Sequence, residues 1–242
     1  MNKNTFKQPS AQIIFGGCGG MYSYELGIAS ILQKEFDLNN VIYSAVSAGS
    51  FPATLMALNM DISILHKSWN LPFLKEVNSH YFGALGVWNN IVRKWTLPML
   101  SLDDYKKCNS RLFLSMSFVN SFIYSPRLKN ELISEWKSNE DLLDGIMASS
   151  FVPLFDIGKL TATFRNKRYI DGIMTDNCPK PFKTNDIPTL DIEYNMWRDM
   201  NYNWQWCWSS PEWHTTLYEW GREDTLKHLK DIEKILSPKT KL

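Results

Sequence analysis

Apolar residues fall in short β-branched runs that break at glycines or small polar residues, and a helical period follows each early break. Ala11-Gln12-Ile13-Ile14-Phe15 reads as a buried strand that runs into Gly16-Gly17-Cys18-Gly19-Gly20, and a helix pattern starts near Tyr22. Leu26, Ile28, Ala29, Ile31, Leu32 and Phe36 give that helix its apolar face. The polar link Asp37 to Asn40 leads to a second strand from Val41 that ends at Ser47, with a second helix behind it and Pro52 near its start. Two strand-helix units imply an α/β fold with a parallel sheet and helices on its faces, and ligands then bind beyond the carboxyl ends of the strands.

Further along the pattern is less regular. Residues from Asp61 to Met99 read as one or two short helices and loops. Arg111 to Phe118 alternates as a strand, with Phe122-Ile123-Tyr124 as its hairpin partner, and Leu128 to Trp136 is helix-like. Glu140 to Ala148 predicts a helix, Lys167 to Ile170 a short strand that delivers Asp171-Gly172, and Thr189 to Ile192 a further strand. An amphipathic helix of mixed charge closes the chain from about Thr216 to Leu236. With 242 residues, 44% of them hydrophobic, one domain over 1–242 is expected. Its core spans about 11–192, and a tryptophan-rich segment with the last helix spans about 193–242.

Charge narrows the function. A net charge of +1 with interspersed signs leaves no electrostatic footprint for nucleic acid. Cys18, Cys108, Cys178 and Cys207 form no C-x-x-C pair, so neither a metal site nor a disulfide scaffold is expected, and a reducing, cytoplasmic compartment fits. Met1 to Gln12 lacks an apolar core and no long apolar run follows, so neither a signal peptide nor a transmembrane span is expected.

Two small-residue turns carry candidate chemistry. Ser47 sits where a strand meets a helix, flanked at two residues' distance by Ala45 and Gly49. On such an elbow a serine hydroxyl stands clear of both elements as a nucleophile, and the next N–H, that of Ala48, is open to an oxyanion. The alternative is a serine that simply caps a helix. The glycine loop admits three readings. It lacks the lysine of a phosphate loop, and no acid ends the second strand for a ribose, which disfavours a nucleotide. N–H groups of Gly17, Cys18, Gly19 and Gly20 could instead hold the oxyanion of an acyl intermediate, or the loop could only let a helix pack closely.

A base is also needed. His66, His80, His214 and His228 lie in contexts that suit packing or surface, and a histidine-dependent α/β-hydrolase is the competing reading. Asp171 ends a strand on the ligand-bearing edge and is followed by Gly172, whereas Asp176-Asn177 reads as a turn. Apolar surroundings would raise the Asp171 pKa enough for it to act as a base.

These pieces together resemble the patatin-like phospholipase domain family, and specifically the animal branch that contains adipose triglyceride lipase and adiponutrin. Gly17-Cys18-Gly19 with Tyr24, Gly27, Ala29 and Ser30 resembles its oxyanion loop and following helix, Ala45-Val46-Ser47-Ala48-Gly49 its nucleophile elbow, and Asp171-Gly172 its D-G-[GA] element. Ala148 to Pro153, Arg168 to Pro179 and Leu217 to Asp224 also follow family segments in order. The resemblance implies a patatin-like three-layer α/β sandwich, mainly parallel in its central sheet with helices on both faces. It also implies a lipid acyl hydrolase, of phospholipase A or triacylglycerol lipase type, with Ser47 as nucleophile, Asp171 as proton acceptor and neither cofactor nor metal. Tyr22, Ala45 and Ile173 are larger than the family residues at their positions, which motivates the alternative of a catalytically inactive lipid-binding or scaffold relative.

Six tryptophans between Trp197 and Trp220, with Trp204, Trp206 and Trp208 alternating, suit either a lipid-surface anchor or a lid packed on the domain. The expected partner is a lipid substrate at a membrane or lipid-droplet surface, visited peripherally. Lys227, Lys230, Lys234, Lys239 and Lys241 are offset by neighbouring acids and read as a solvated face.

Overall fold

The computed structural model describes residues 8–120, 127–153, 155–156, 158–200 and 209–240. The two apolar runs at the start become neighbouring parallel strands, β1 (Ala11–Phe15) and β2 (Val41–Val46), both wholly buried. Helices α1 (Tyr22–Glu35) and α2 (Ser50–Ala57) follow them, as the sequence pattern predicts. Asp61 caps α3 (Ile62–Leu65) by accepting from the Ile64 N–H, and the helix continues through a π turn at His66–Asn70 into α4 (Leu71–Ser79). With α5 (Trp88–Thr96), the region expected to be mostly irregular is largely helical. Its tryptophans and phenylalanines supply packing surface that overrides a weak period: Trp69, Phe73 and Val92 are buried in the common core.

After α6 (Asp104–Cys108), strand β3 (Leu112–Val119) lies parallel to β2. The stretch expected as a helix from Leu128 is instead β4 (Leu128–Ile133), antiparallel to β3. Leu128, Leu132 and Trp136 mimic a helical period, but the strand is only half buried, as an edge strand is. Lys167 holds Glu131 at 2.9 Å and the Tyr169 hydroxyl donates to it at 2.6 Å, which fastens β4 by its polar side chains. The hairpin partner expected at Phe122-Ile123-Tyr124 lies outside the described residues.

Helix α7 (Asn139–Ser149) is capped by Ser138, and β5 (Ala162–Phe164) pairs antiparallel with β6 (Lys167–Ile170). Strand β7 (Thr189–Ile192) lies parallel to β1, giving the order β5-β6-β3-β2-β1-β7 with β4 also on β3. The fold is therefore α/β, with a parallel central sheet and antiparallel pairing beyond β3.

The last helix differs from expectation at both ends. Ser210 caps α8 (Pro211–Lys227) by accepting from the Trp213 N–H, so it begins earlier than Thr216. It stops at His228, whose Nδ1 donates to the Asp224 carbonyl and whose ring stacks on Trp197, before α9 (Leu229–Ile232). Among the described residues no helix is long and apolar enough to cross a membrane.

Helices α1 and α8 cross at two glycines. A Cβ on Gly27 would lie 2.1 Å from the Tyr218 carbonyl oxygen, and one on Gly221 would lie 2.0 Å from that of Tyr24. Both obstacles are helix backbone, which cannot move aside. Gly27→Ala is expected to destabilise by about 1–3 kcal/mol through overpacking, a fall of about 3–10 °C in Tm for a chain of this size. Thermal unfolding followed by circular dichroism checks it; an unchanged Tm would mean that the helices do not cross at these residues.

Candidate active site

Ser47 and Asp171 are brought together by the edge of one strand. β4 occupies one side of β3, pairing from Leu114 to Val119. β2 and β6 must then share the other side: β2 reaches Ser115 and β6 reaches Ser117, running in opposite directions. Their carboxyl ends face each other across a gap of one residue, and Ser47 and Asp171 are the residues that leave those ends. The Ser47 hydroxyl donates to Asp171 Oδ2 at 2.6 Å, and the Ile173 N–H donates to Oδ1 at 2.9 Å.

The elbow is strained as its role in the sequence suggests. Ser47 has φ of 55°, rare for a residue with a side chain, and the 3-10 turn Ser47–Gly49 opens there. Gly49 has no alternative: a Cβ would lie 2.3 Å from the Gly16 carbonyl oxygen. Ala45 is ordinary extended backbone within β2, so the methyl in place of a glycine hydrogen meets no conformational penalty. Gly172 is equally constrained, since a Cβ there would sit 2.3 Å from the Ser115 carbonyl oxygen and 2.7 Å from a Val46 methyl.

A set of serines that sequence reasoning missed fixes this geometry. Ser149 Oγ accepts from the Ser47 N–H at 3.1 Å and from the Ser50 hydroxyl at 3.1 Å, and donates to the Ser115 carbonyl at 2.7 Å. Ser117 donates to the Asp171 carbonyl at 2.8 Å. Polar residues on otherwise buried strand and helix positions were the available signal.

Electrostatics favour a proton acceptor. Burial pushes the Asp171 carboxyl up to about 6, although hydrogen bonds from Ser47 and the Ile173 N–H pull the other way. Asp176 accepts from the Cys178 N–H in a local turn, as expected for the competing acid. His66 and His214 are buried, His66 stacked on Tyr218 and His214 bonded to Ser23, while His80 is exposed. Each histidine thus occupies the packing or surface position its context suggests.

The glycine loop divides. Gly19 and Ala48 line a cavity of about 50 Å³ beside Ser47, with Tyr22, Phe51, Trp88, Val152 and Phe155. Gly19 and Ala48 both lie in the opening turns of 3-10 segments, where N–H groups have no partner within the turn. Gly17 is placed differently from the expectation: its N–H donates to Asn177 Oδ1 at 3.1 Å, and the Ile173 side chain packs against it. Cys18 and Gly20, the alternate residues of the loop, are buried. A wider, polar cavity of about 540 Å³ lies among Gln33, Asp37, Asn59 and Lys239 at the amino-terminal end of β2, away from Ser47.

Among known proteins, the profile of the patatin-like phospholipase family matches residues 13–180, from β1 past Asp171. The chain belongs to the patatin-like phospholipase family. It is 28% identical to human patatin-like phospholipase domain-containing protein 2 over 180 residues, 72% of this chain and 34% of that protein. To mouse omega-hydroxyceramide transacylase it is 28% identical over 182 residues, 72% of this chain and 29% of that one. The patatin-like chain therefore spans about a third of the length of these relatives. A crystal structure of the type III effector protein ExoU aligns over 93% of this chain and 54% of that one, with 15% identity and a TM-score of 0.39.

Of the tryptophan-rich segment, Trp204, Trp206 and Trp208 lie outside the described residues. Trp197, Trp213 and Trp220 pack on the body of the domain, Trp213 against Trp220 at 5.4 Å and Arg198 over Trp220 at 4.6 Å.

One buried acid beside the site was not anticipated. Glu25 on α1 is wholly buried close to the Cys18 thiol, and burial raises its carboxyl well above the ordinary range. Such a group keeps its proton to a higher pH in the fold than in the unfolded chain. Its contribution to stability is fully present below its unfolded value of about 4.3 and is lost as pH rises toward the folded one. The Tm gap between Glu25→Gln and wild type is therefore expected to widen in favour of the variant from pH 5 to pH 7.5. A gap constant across that range in calorimetry would mean that Glu25 is charged in the folded protein.

Proposed function

We propose that this chain hydrolyses carboxylic esters of lipids through a Ser47–Asp171 dyad, by way of an acyl-enzyme. The observation that carries the reading is the 2.6 Å hydrogen bond from Ser47 Oγ to a buried carboxylate, at a positive-φ elbow that opens onto an apolar cavity. Asp171 takes the hydroxyl proton while Oγ bonds to the ester carbonyl carbon, and the N–H groups of Gly19 and Ala48 stabilise the resulting oxyanion. Collapse breaks the ester C–O bond, and the proton passes from Asp171 to the departing alkoxide. Water, or another alcohol, then attacks the acyl-serine with Asp171 as base and regenerates Ser47.

A carboxylate whose pKa is about 6 is a stronger base than an exposed one and is still ionised above neutrality. Ala45 and Ile173 do not obstruct this scheme: one lies in plain strand geometry and the other supplies an N–H to Asp171. A lipid surface as the working environment is supported by the exposed apolar side chains Val152, Ile173 and Met174 near the cavity, with Tyr81, Phe82 and Leu85 on the neighbouring loop that Gly86 ties to Phe155. The substrate is then an ester presented at a membrane or lipid-droplet surface.

Hydrolysis of p-nitrophenyl butyrate by wild type, Ser47→Ala and Asp171→Asn tests the assignment. Ser47→Ala is expected to fall to background and to lose fluorophosphonate labelling, and Asp171→Asn to lose about 10²–10⁴-fold in kcat. Equal rates in all three proteins would refute it. Because the base must be unprotonated, kcat/KM is expected to drop tenfold per pH unit below about 6 and to level off above. A profile flat from pH 4.5 to pH 8 would exclude Asp171 as the base.

A further inference from the structure

The cavity beside Ser47 is closed by rings. Tyr22 and Phe51 lie 6.1 Å apart between centroids, Phe51 and Trp88 6.3 Å, and Trp88 and Phe155 6.2 Å, with Phe73 behind Trp88 at 5.4 Å. An arc of aromatic side chains thus faces the serine, and Val152 completes the apolar lining.

Tyr22 is the least yielding part of that wall. Its hydroxyl donates to Asn70 Oδ1 at 2.6 Å in a buried contact. The Asn70 amide in turn reaches Ser23 Oγ and His66 Nδ1, each at 3.2 Å, and Ser23 Oγ meets His214 Nδ1 at 2.7 Å. A ring on the end of such a network cannot swing away without leaving buried polar groups unpaired. Trp88 and Phe51, by contrast, are held by packing.

The cavity volume is about 50 Å³. Pockets that enclose a whole small molecule run to about 300–1,000 Å³, so only the first part of an acyl tail fits here. We infer that this site acts on esters whose cleaved acyl group is short and that Tyr22 sets the limit. The inference rests on the Ser47 reading above and adds the acyl length that the site admits. An acyl tail extending from the serine meets the Tyr22–Phe51–Trp88 wall after a few carbons. The alcohol part of the ester lies on the other side of the serine, outside this cavity. A specificity-determining residue of this kind shows itself in the ratio of rates between chain lengths, because loss of fold or of the nucleophile lowers all of them together.

The test is kcat/KM for p-nitrophenyl acetate, butyrate, octanoate and palmitate, all in the same detergent micelles, for wild type, Tyr22→Ala, Tyr22→Phe and Trp88→Ala. Wild type is expected to favour butyrate over octanoate and palmitate by at least about tenfold, the scale on which a filled pocket rejects extra methylenes. Tyr22→Ala is expected to raise the octanoate-to-butyrate ratio at least about tenfold, while Tyr22→Phe, which keeps the ring, retains the wild-type ratio. Trp88→Ala opens the far end of the same wall and carries the same expectation if Tyr22→Ala does not fold. Turnover of palmitate as fast as butyrate by wild type, abolished in Ser47→Ala, would overturn the length limit and leave the dyad standing. An unchanged ratio in both wall variants would overturn the role of Tyr22. If wild type turned over none of the four esters, the dyad reading would fall and the inference with it.

Discussion

The site depends on strand β3 having more length than β2 can cover. With β4 along one side from Leu114 onward, the other side offers Tyr43–Val46 its first half and Tyr169–Ile170 its second. Two strands that approach end to end on one edge must both leave it at the junction, and whatever follows them is forced into contact. Here the followers are Ser47 and Asp171, 124 positions apart in sequence. The proximity of the pair is thus a consequence of sheet pairing, which involves many backbone hydrogen bonds, and does not rely on the single bond between the two side chains.

The junction is costly, and the surrounding residues offset the cost. Extended strands cannot both turn away unless one residue takes an unfavourable backbone conformation, and Ser47 takes it at φ 55°. Burying Asp171 far enough to raise its pKa to about 6 costs roughly 3 kcal/mol when the carboxylate is ionised in the fold. Against this stand Ser149 and Ser117, which satisfy the backbone groups that the turning chains expose, and the glycines at 49 and 172, which alone fit beside carbonyl oxygens. A site of this construction sacrifices stability for a preformed geometry, the usual relation between the two.

Much of this was legible in the sequence because the parts that matter are local. Strand, small-residue turn and helix are written contiguously at Phe15–Tyr22 and Val46–Ser50, and β6 ends at Ile170 with Asp171 and a glycine directly behind it. Pattern reading failed where the deciding interaction is distant. Nothing in Leu128 to Ile133 reveals an edge strand, since its stabilising partners, Lys167 and Tyr169, lie on β6. The helices between Ile62 and Thr96 draw on aromatic contacts with the core rather than on a clean period. The assignment of Gly17 as an oxyanion donor could not foresee Asn177, which sits 160 positions away and takes its N–H. Glu25 was invisible for a different reason: on a helix buried around nearly its whole circumference, no polar face exists for a misplaced acid to contradict.

Engagement of Gly17 by Asn177 bears on how the loop functions. An oxyanion is stabilised by donors whose direction is fixed before the charge appears, and a flexible glycine loop does not by itself provide that. The Asn177 bond and the Ile173 side chain hold the loop at its first residue, while Met21 N–H closes it onto the Cys18 carbonyl at 3.0 Å. Between those two anchors Gly19 adopts φ of 52° next to Ser47. Asn177 and Ile173 both come from the segment that follows Asp171, so the segment that positions the acid also anchors the loop. On the proposed reading, the acid and the oxyanion donors are therefore held by one stretch of chain, and a displacement of residues 171–177 would disturb both together.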